Sequence, residues 1–191
     1  MNIGILAVQG AFIEHEKMLD SLGISYFEIR KKTDLCQKMD GLILPGGEST
    51  VMGKLLHELG LFEVLKHKIE EGLPVLATCA GLILLAEKLT NDEKVYFATL
   101  PVTVKRNAYG RQLGSFHIDS EVKYVGIEPL TFIRAPYIEN VTEGVEVLAL
   151  VNDKIAGVKY KNQIGLAFHP EVTESPRIHE YFIKICKEQM A

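Results

Sequence analysis

Leu73-Pro74-Val75-Leu76-Ala77-Thr78-Cys79-Ala80-Gly81-Leu82-Ile83-Leu84-Leu85-Ala86-Glu87 is the stretch whose reading decides the fold. Its first part, Leu73–Thr78, is a short apolar run, the mark of a strand buried on both faces. After Thr78 two small residues follow Cys79, and Leu82 to Glu87 continue as a helix. Working back from this strand, Ile3–Val8, Ile24–Ile29 and Gly41–Leu44 read as three more strands. Residues 11–22 place Phe12, His15, Leu19 and Leu22 at helical spacing, closed by Gly23. Ser49 or Thr50 caps a helix through about Leu59, and Leu61–Glu71 forms another, closed by Gly72. Strands separated by helices imply an α/β fold with a parallel sheet and helices on both faces.

Working forward, the character changes. Val102–Lys105, Gly114–Glu121, Thr131–Arg134, Val145–Val151, Ile155–Tyr160 and Gln163–Phe168 are short strand candidates divided by Gly, Pro and Asn. They predict mixed and antiparallel additions to the sheet. A last amphipathic helix runs from about Pro176 to Gln189, with Ile178, Tyr181, Phe182 and Ile185 on one face. At 191 residues the chain suits one compact domain over 1–191.

Composition narrows the function classes. Basic residues number 21 and acidic ones 25, a net charge of −4. That argues against a broad nucleic-acid or anionic-membrane surface. Met1-Asn2-Ile3-Gly4-Ile5 lacks a secretory signal's basic region, and no apolar run nears the roughly 20 residues of a membrane span. A cytoplasmic protein is expected. Three cysteines cannot all pair within the chain, which suits a reducing compartment. None belongs to a Cys-x-x-Cys pair, so no zinc framework is expected.

Cys79 is the first candidate for chemistry. Small residues after a strand allow the sharp turn that presents a nucleophile above a sheet. A helix N-terminus favours the thiolate and offers a backbone N–H to an oxyanion. The alternative is a buried core cysteine. His169-Pro170-Glu171 follows another apolar strand. Open α/β sheets put active groups at the carboxyl ends of strands, where Cys79 and His169 both fall. Glu171 can fix the imidazole tautomer, although such a tripeptide also suits a plain surface turn.

Leu44-Pro45-Gly46-Gly47-Glu48-Ser49-Thr50 is the third feature. Its glycines expose backbone N–H groups at a strand end, and it equally suits a turn and helix cap. It is not a phosphate-binding loop: five residues lie between Gly47 and Gly53, one too many, and Leu55 follows Lys54 where that motif needs Ser or Thr. No dinucleotide fingerprint follows the first strand. Cys36 and Cys186 are expected to pack, His117 to be structural or at the surface. His15, His57, His67 and His179 lie in helical segments without a special role.

Taken together, the residues resemble a class I, triad-type glutamine amidotransferase. More closely they are similar to the glutaminase subunits of pyridoxal 5′-phosphate synthases. The resemblance rests on Gly4–Ala11, Asp40–Thr50, Thr78–Ile83, Arg106–Gln112, Phe132–Pro136 and Phe168–Glu171. Ala77 departs from it, since related elbows usually carry Gly there. Leu82 stands where many other class I amidotransferases have Gln.

The resemblance implies a three-layer, flavodoxin-like fold with a central, mostly parallel mixed sheet. It implies hydrolysis of L-glutamine to glutamate and ammonia with Cys79, His169 and Glu171 as catalytic residues and no cofactor or metal. Gly47 and Ala80 would form the oxyanion hole; Gly47, Glu48, Ser49, Arg106, Ile133 and Arg134 would bind glutamine. Arg106 suits the α-carboxylate and Glu48 the α-ammonium. The implied partner is a separate synthase subunit in a large hetero-oligomer, with neither nucleic acid nor membrane involved. An amidotransferase for another acceptor, such as imidazole glycerol phosphate synthase, and a non-enzymatic flavodoxin-like module are the alternatives.

Overall fold

The computed structural model describes residues 1–90, 92–106 and 115–191. Most of the Arg106–Gln112 motif and the predicted strand start at Gly114 lie outside them. In chain order the elements are β1 (Asn2–Leu6), α1 (Phe12–Ser21), β2 (Ser25–Ile29), β3 (Gly41–Leu44), α2 (Ser49–Glu58), α3 (Phe62–Glu70) and β4 (Val75–Thr78). Then come α4 (Ala80–Leu85), β5 (Ala86–Leu89), β6 (Leu100–Lys105), β7 (Ser115–Val122), β8 (Gly126–Ile133) and β9 (Tyr137–Val141). The chain closes with β10 (Glu146–Val151), β11 (Lys154–Tyr160), β12 (Gln163–Leu166) and α5 (Arg177–Met190).

The sheet runs in the order β2-β1-β3-β4-β12-β11-β10-β7-β8. From β2 to β12 every pairing is parallel. Every residue of β3, β4 and β12 is buried, so both faces of this centre are covered, as parallel sheets require. Beyond β12 the pairings turn antiparallel. β5, β6 and β9 form a side branch joined through β9 to β11.

One pairing brings distant sequence together. β12 lies beside β4 with Leu166 opposite Thr78 and Gly165 opposite Ala77. Their carboxyl ends therefore deliver Cys79 and His169 to one edge. Phe132 stacks on Phe116 at 4.6 Å and tilts against Phe168 at 5.7 Å. These rings anchor the chain just before His169 and tie the antiparallel extension to the parallel centre.

The structure corrects several expected details. The cap of α2 is Glu48, not Ser49 or Thr50: its carboxylate accepts from Thr50 N at 3.1 Å and Val51 N at 2.8 Å. The helix after Cys79 ends at Leu85, because Ala86 turns extended (ψ 134°) and pairs with Leu100. The expected strand at Thr131 begins instead at Gly126 and spans Pro129. Among the described strands β8 pairs with β7 alone, so a residue without an N–H is tolerated. Cys36 ends a 3-10 turn and is exposed rather than packed, whereas Cys186 is buried. Among the described residues no helix is long and apolar enough to cross a membrane.

Candidate active site

Cys79 sits between the last residue of β4 and the first of α4, so one residue must reverse the chain. It does so at φ 48° and ψ −97°, a strained conformation outside glycine. Surrounding bonds hold it there. Cys79 N donates to Leu166 O at 2.8 Å, and Ile83 N donates to Cys79 O at 3.3 Å. Gly81 lets α4 approach β3: a Cβ there would stand 2.1 Å from Leu44 O. The result is the strand–turn–helix elbow the sequence predicts, with Ala80 opening α4.

His169 leaves β12 on a short 3-10 turn, Pro170–Val172, and its backbone N donates to Thr131 O at 2.8 Å. On one side its ring interacts with the Cys79 thiol, which favours the imidazolium. On the other, Nδ1 lies 2.7 Å from Glu171 Oε1. Burial disfavours the imidazolium, but the interactions with Cys79 and Glu171 outweigh it and push the pKa up to about 10. Glu171 is buried, which opposes its charge; the hydrogen bond from His169 and the His169 charge hold its carboxyl below the ordinary range.

A cleft of about 510 Å³ opens above this line. Of the expected site residues, Gly47, Glu48, Ser49, Cys79, Arg106, Ile133, Arg134 and His169 line it. Ala80 and Glu171 are buried and outside that lining. Arg106 pairs with Asp92 at 3.2 Å and donates to Tyr96 Oη at 3.3 Å. Its Nε is buried without a hydrogen-bond partner among the described residues. Partial burial opposes the charge on Glu48, but the Val51 and Thr50 N–H bonds and the Arg106 charge lower its pKa. An anchored cation and an ionised carboxylate thus border one cleft, a pairing suited to a small zwitterion.

Sequence reasoning missed four participants. Gln9 braces the glycine loop, its Oε1 accepting from Glu48 N at 2.8 Å. Thr78, His15 and His179 are buried around Glu171. One signal was available for His15, a polar ring at helical spacing among Phe12, Leu19 and Leu22. His117 bonds Thr131 Oγ1 at 2.8 Å and stands away from the cleft lining. Among the described residues no group of three or more His, Cys, Asp or Glu is arranged to hold a metal ion.

Known proteins agree with this architecture. A solved glutamine amidotransferase superposes with a TM-score of 0.92 at 43% identity, covering 97% of this chain and 98% of that one. A glutamine amidotransferase from Thermotoga maritima, at 16% identity and a TM-score of 0.60, shares the fold over 98% of this chain and 85% of its own. The class I, flavodoxin-like amidotransferase fold is therefore the fold of this chain. The pyridoxal 5′-phosphate synthase subunit PdxT of Desulfitobacterium hafniense is 64% identical, covering 96% of this chain and 92% of the relative. The PdxT of Streptococcus pneumoniae serotype 2 is 52% identical over 99% of this chain and all of its own. Residues 5–188 match the model of one family, and with it the chain is placed: it belongs to the SNO glutamine amidotransferase family.

Proposed function

We propose that this chain is the glutaminase subunit of a pyridoxal 5′-phosphate synthase, a single glutaminase domain over 1–191 acting in the cytoplasm in vitamin B6 biosynthesis. It hydrolyses L-glutamine and delivers ammonia to a separate synthase subunit within a large hetero-oligomer. The observation that carries the reading is the line from Cys79 through His169 to Glu171 on the border of a cleft. Likeness to the PdxT subunits supports the acceptor.

His169 holds the proton of Cys79, and the thiolate attacks the side-chain amide carbon. The N–H groups of Gly47 and Ala80 receive the oxyanion. His169 passes its proton to the departing nitrogen, which leaves as ammonia, and Cys79 keeps a glutamyl thioester. His169 then takes a proton from water, the hydroxide opens the thioester, and glutamate leaves. Glu171 keeps Nδ1 protonated, so Nε2 does the proton transfer. Arg106 holds the α-carboxylate and Glu48 the α-ammonium, with Ser49, Ile133 and Arg134 completing the glutamine site.

Partner docking is proposed to order the oxyanion loop. Gly46 O is tied to Ala11 N at 2.9 Å, and Glu48 N to Gln9 Oε1 at 2.8 Å. A partner pressing on the Gln9–Ala11 loop would therefore turn the Gly46–Gly47 peptide. A missing oxyanion donor costs about 10²–10³ in rate, so the isolated subunit should turn over glutamine slowly until synthase is added.

The test is labelling with an electrophilic glutamine analogue in the assembled complex, with the adduct mapped by peptide mass. Label on Cys79, and loss of glutamate release in Cys79→Ala, are expected. Label elsewhere, or full hydrolysis by Cys79→Ala, would overturn the reading.

A further inference from the structure

Behind Glu171 lies a buried cluster that the reaction above does not use. His15 comes from α1, Thr78 from the end of β4 and His179 from α5, and all three are fully buried. His15 Nδ1 is 2.9 Å from His179 Nε2, and His15 Nε2 is 3.3 Å from Thr78 Oγ1. The Thr78 hydroxyl donates to Glu171 Oε1 at 3.3 Å, the oxygen that receives His169 Nδ1 at 2.7 Å. His15 Nε2 is itself 3.6 Å from that oxygen, too far for a hydrogen bond.

Counting protons fixes the direction of these bonds. Thr78 has one hydroxyl proton and gives it to Glu171, so its oxygen can only accept from His15. His15 Nε2 therefore carries a hydrogen, and in the neutral ring Nδ1 is an acceptor. His179 Nε2 must then be the donor. This leaves His179 Nδ1 as the bare nitrogen, and that atom is buried without a hydrogen-bond partner among the described residues. A bare nitrogen there is less costly than an unsatisfied N–H. Burial favours neutral rings in both histidines, lowering the pKa of His15 and taking that of His179 to about 3.

We infer that His179, His15 and Thr78 are positioning residues, a one-way hydrogen-bond chain that fixes Glu171 Oε1 where it receives His169 Nδ1–H. The chain is needed because Glu171 stands on a three-residue 3-10 turn and its other oxygen has no partner among the described residues. Three elements distant in sequence supply what the short turn does not. The inference rests on Cys79, His169 and Glu171 acting as the triad. The titratable groups facing the cluster are Cys79 and His169 towards the cleft, Glu171 between, His179 from α5, and Glu14 beside His15 on α1.

The test compares Thr78→Val, Thr78→Ser, His15→Leu and His15→Gln in the complex with the synthase subunit, each rate normalised to Cys79 labelled by the glutamine analogue. Valine keeps the shape of threonine and removes the donor. Thr78→Val and His15→Leu should lower kcat about tenfold or more per labelled site, with KM within about threefold. The alkaline limb of kcat/KM should move to lower pH, since a loosely held Glu171 supports the imidazolium less well and His169 gives up its proton sooner. Thr78→Ser should restore most of the rate, and His15→Gln, which keeps a donor and an acceptor, part of it.

Parental kcat and an unmoved alkaline limb in Thr78→Val would overturn the chain, as would a loss that tracks only the folded fraction. If His15→Leu does not fold, Thr78→Val decides alone. Cys79→Ala separates the two levels. An active Cys79→Ala sinks the triad and the chain with it, whereas an inactive one beside a Thr78→Val of parental behaviour sinks only the chain.

Discussion

The two sides of His169 are built differently. On the cleft side the groups that would meet the substrate include backbone atoms of a glycine loop and side chains at its edge. Gly47, Glu48, Ile133 and Arg134 are exposed there. On the far side Glu171, Thr78, His15 and His179 are sealed from solvent and bonded to one another. A group that must admit substrate and respond to a partner needs freedom. One that only sets an imidazole tautomer gains from rigidity. On the proposed reading, the contrast teaches that proton management is built into buried bonds, while the proposed oxyanion loop stands at the exposed side.

The largest expected effect comes from breaking the cleft side where it touches the ring. A Cβ on Gly46 would stand 2.2 Å from His169 Cε1. Gly46→Ala must therefore displace either the loop or the ring, and geometry errors of about 1 Å cost about 10²-fold. We expect kcat for glutamine hydrolysis in the complex to fall by about that factor, with the variant still folded by circular dichroism. Unchanged kcat would mean that the ring has room to move and the far side is less rigid than drawn.

Stability against pH sharpens the far side. His15 and His179 have lowered pKa values, the latter to about 3 against an ordinary 6.5. Below pH 6.5 the unfolded chain binds protons that these buried rings refuse. Their stabilisation is thus complete above that pH and is lost as pH falls through the window below it, by up to about 1.4 kcal/mol per unit per ring. His169 runs the other way: with its pKa raised to about 10, its contribution is complete below 6.5 and is lost as pH rises towards 10. Chemical denaturation from pH 5 to 9 should show stability falling at both ends. His179→Leu should flatten the acid slope and leave the alkaline one.

Much of this was legible in the sequence, for physical reasons that also explain the failures. Apolar runs such as Gly41–Leu44 and Val75–Thr78 are strands buried on both faces, so no neighbour needs to be known to recognise them. The antiparallel part depends on pairing. Tyr137-Ile138-Glu139-Asn140-Val141 reads as polar and irregular, yet forms β9 because β6 and β11 flank it. Ala86-Glu87-Lys88-Leu89 has the composition of a helix and becomes β5 through pairing with β6. Within the site, Cys79 and His169 announce themselves by standing after strands. His15 and His179 do not, because a histidine on a helix reveals nothing of what lies across from it. Their meeting depends on α1 and α5 packing beside the same strand ends. Ala77 is fully buried opposite Gly165, where the elbow accommodates its methyl group.

Arg106 tests the cleft side as a binding surface rather than a catalytic one. It is held by Asp92 and Tyr96, and its Nε has no partner among the described residues. If it meets the α-carboxylate equally in substrate and transition state, its loss removes uniform binding. Arg106→Ala should raise KM for glutamine about tenfold and leave kcat within about threefold. A matching loss in kcat would assign it to the transition state instead.

The smallest effect belongs to Glu48, which does two jobs with one carboxylate. It caps α2 by accepting from Thr50 N and Val51 N, and it borders the cleft across from Arg106. Glutamine at this position keeps one of the two oxygens that accept from Thr50 N and Val51 N and removes the charge. The helix should lose its charge–dipole share, about 0.3–1 kcal/mol, and one of its two cap bonds, about 0.5–1 kcal/mol, seen as a modest drop in denaturation midpoint. The lowered pKa gives the sign: that share is present above the ordinary carboxylate pKa of 4.5 in the parent and lost as pH falls through its folded value. Glu48→Gln and parent should therefore converge in stability in acid. KM should rise a few-fold, because the α-ammonium loses an anion while Arg106 still holds the carboxylate. If KM stays put while stability falls as expected, Glu48 belongs to the scaffold of the loop, and the adjustable side of the site is smaller than its cleft.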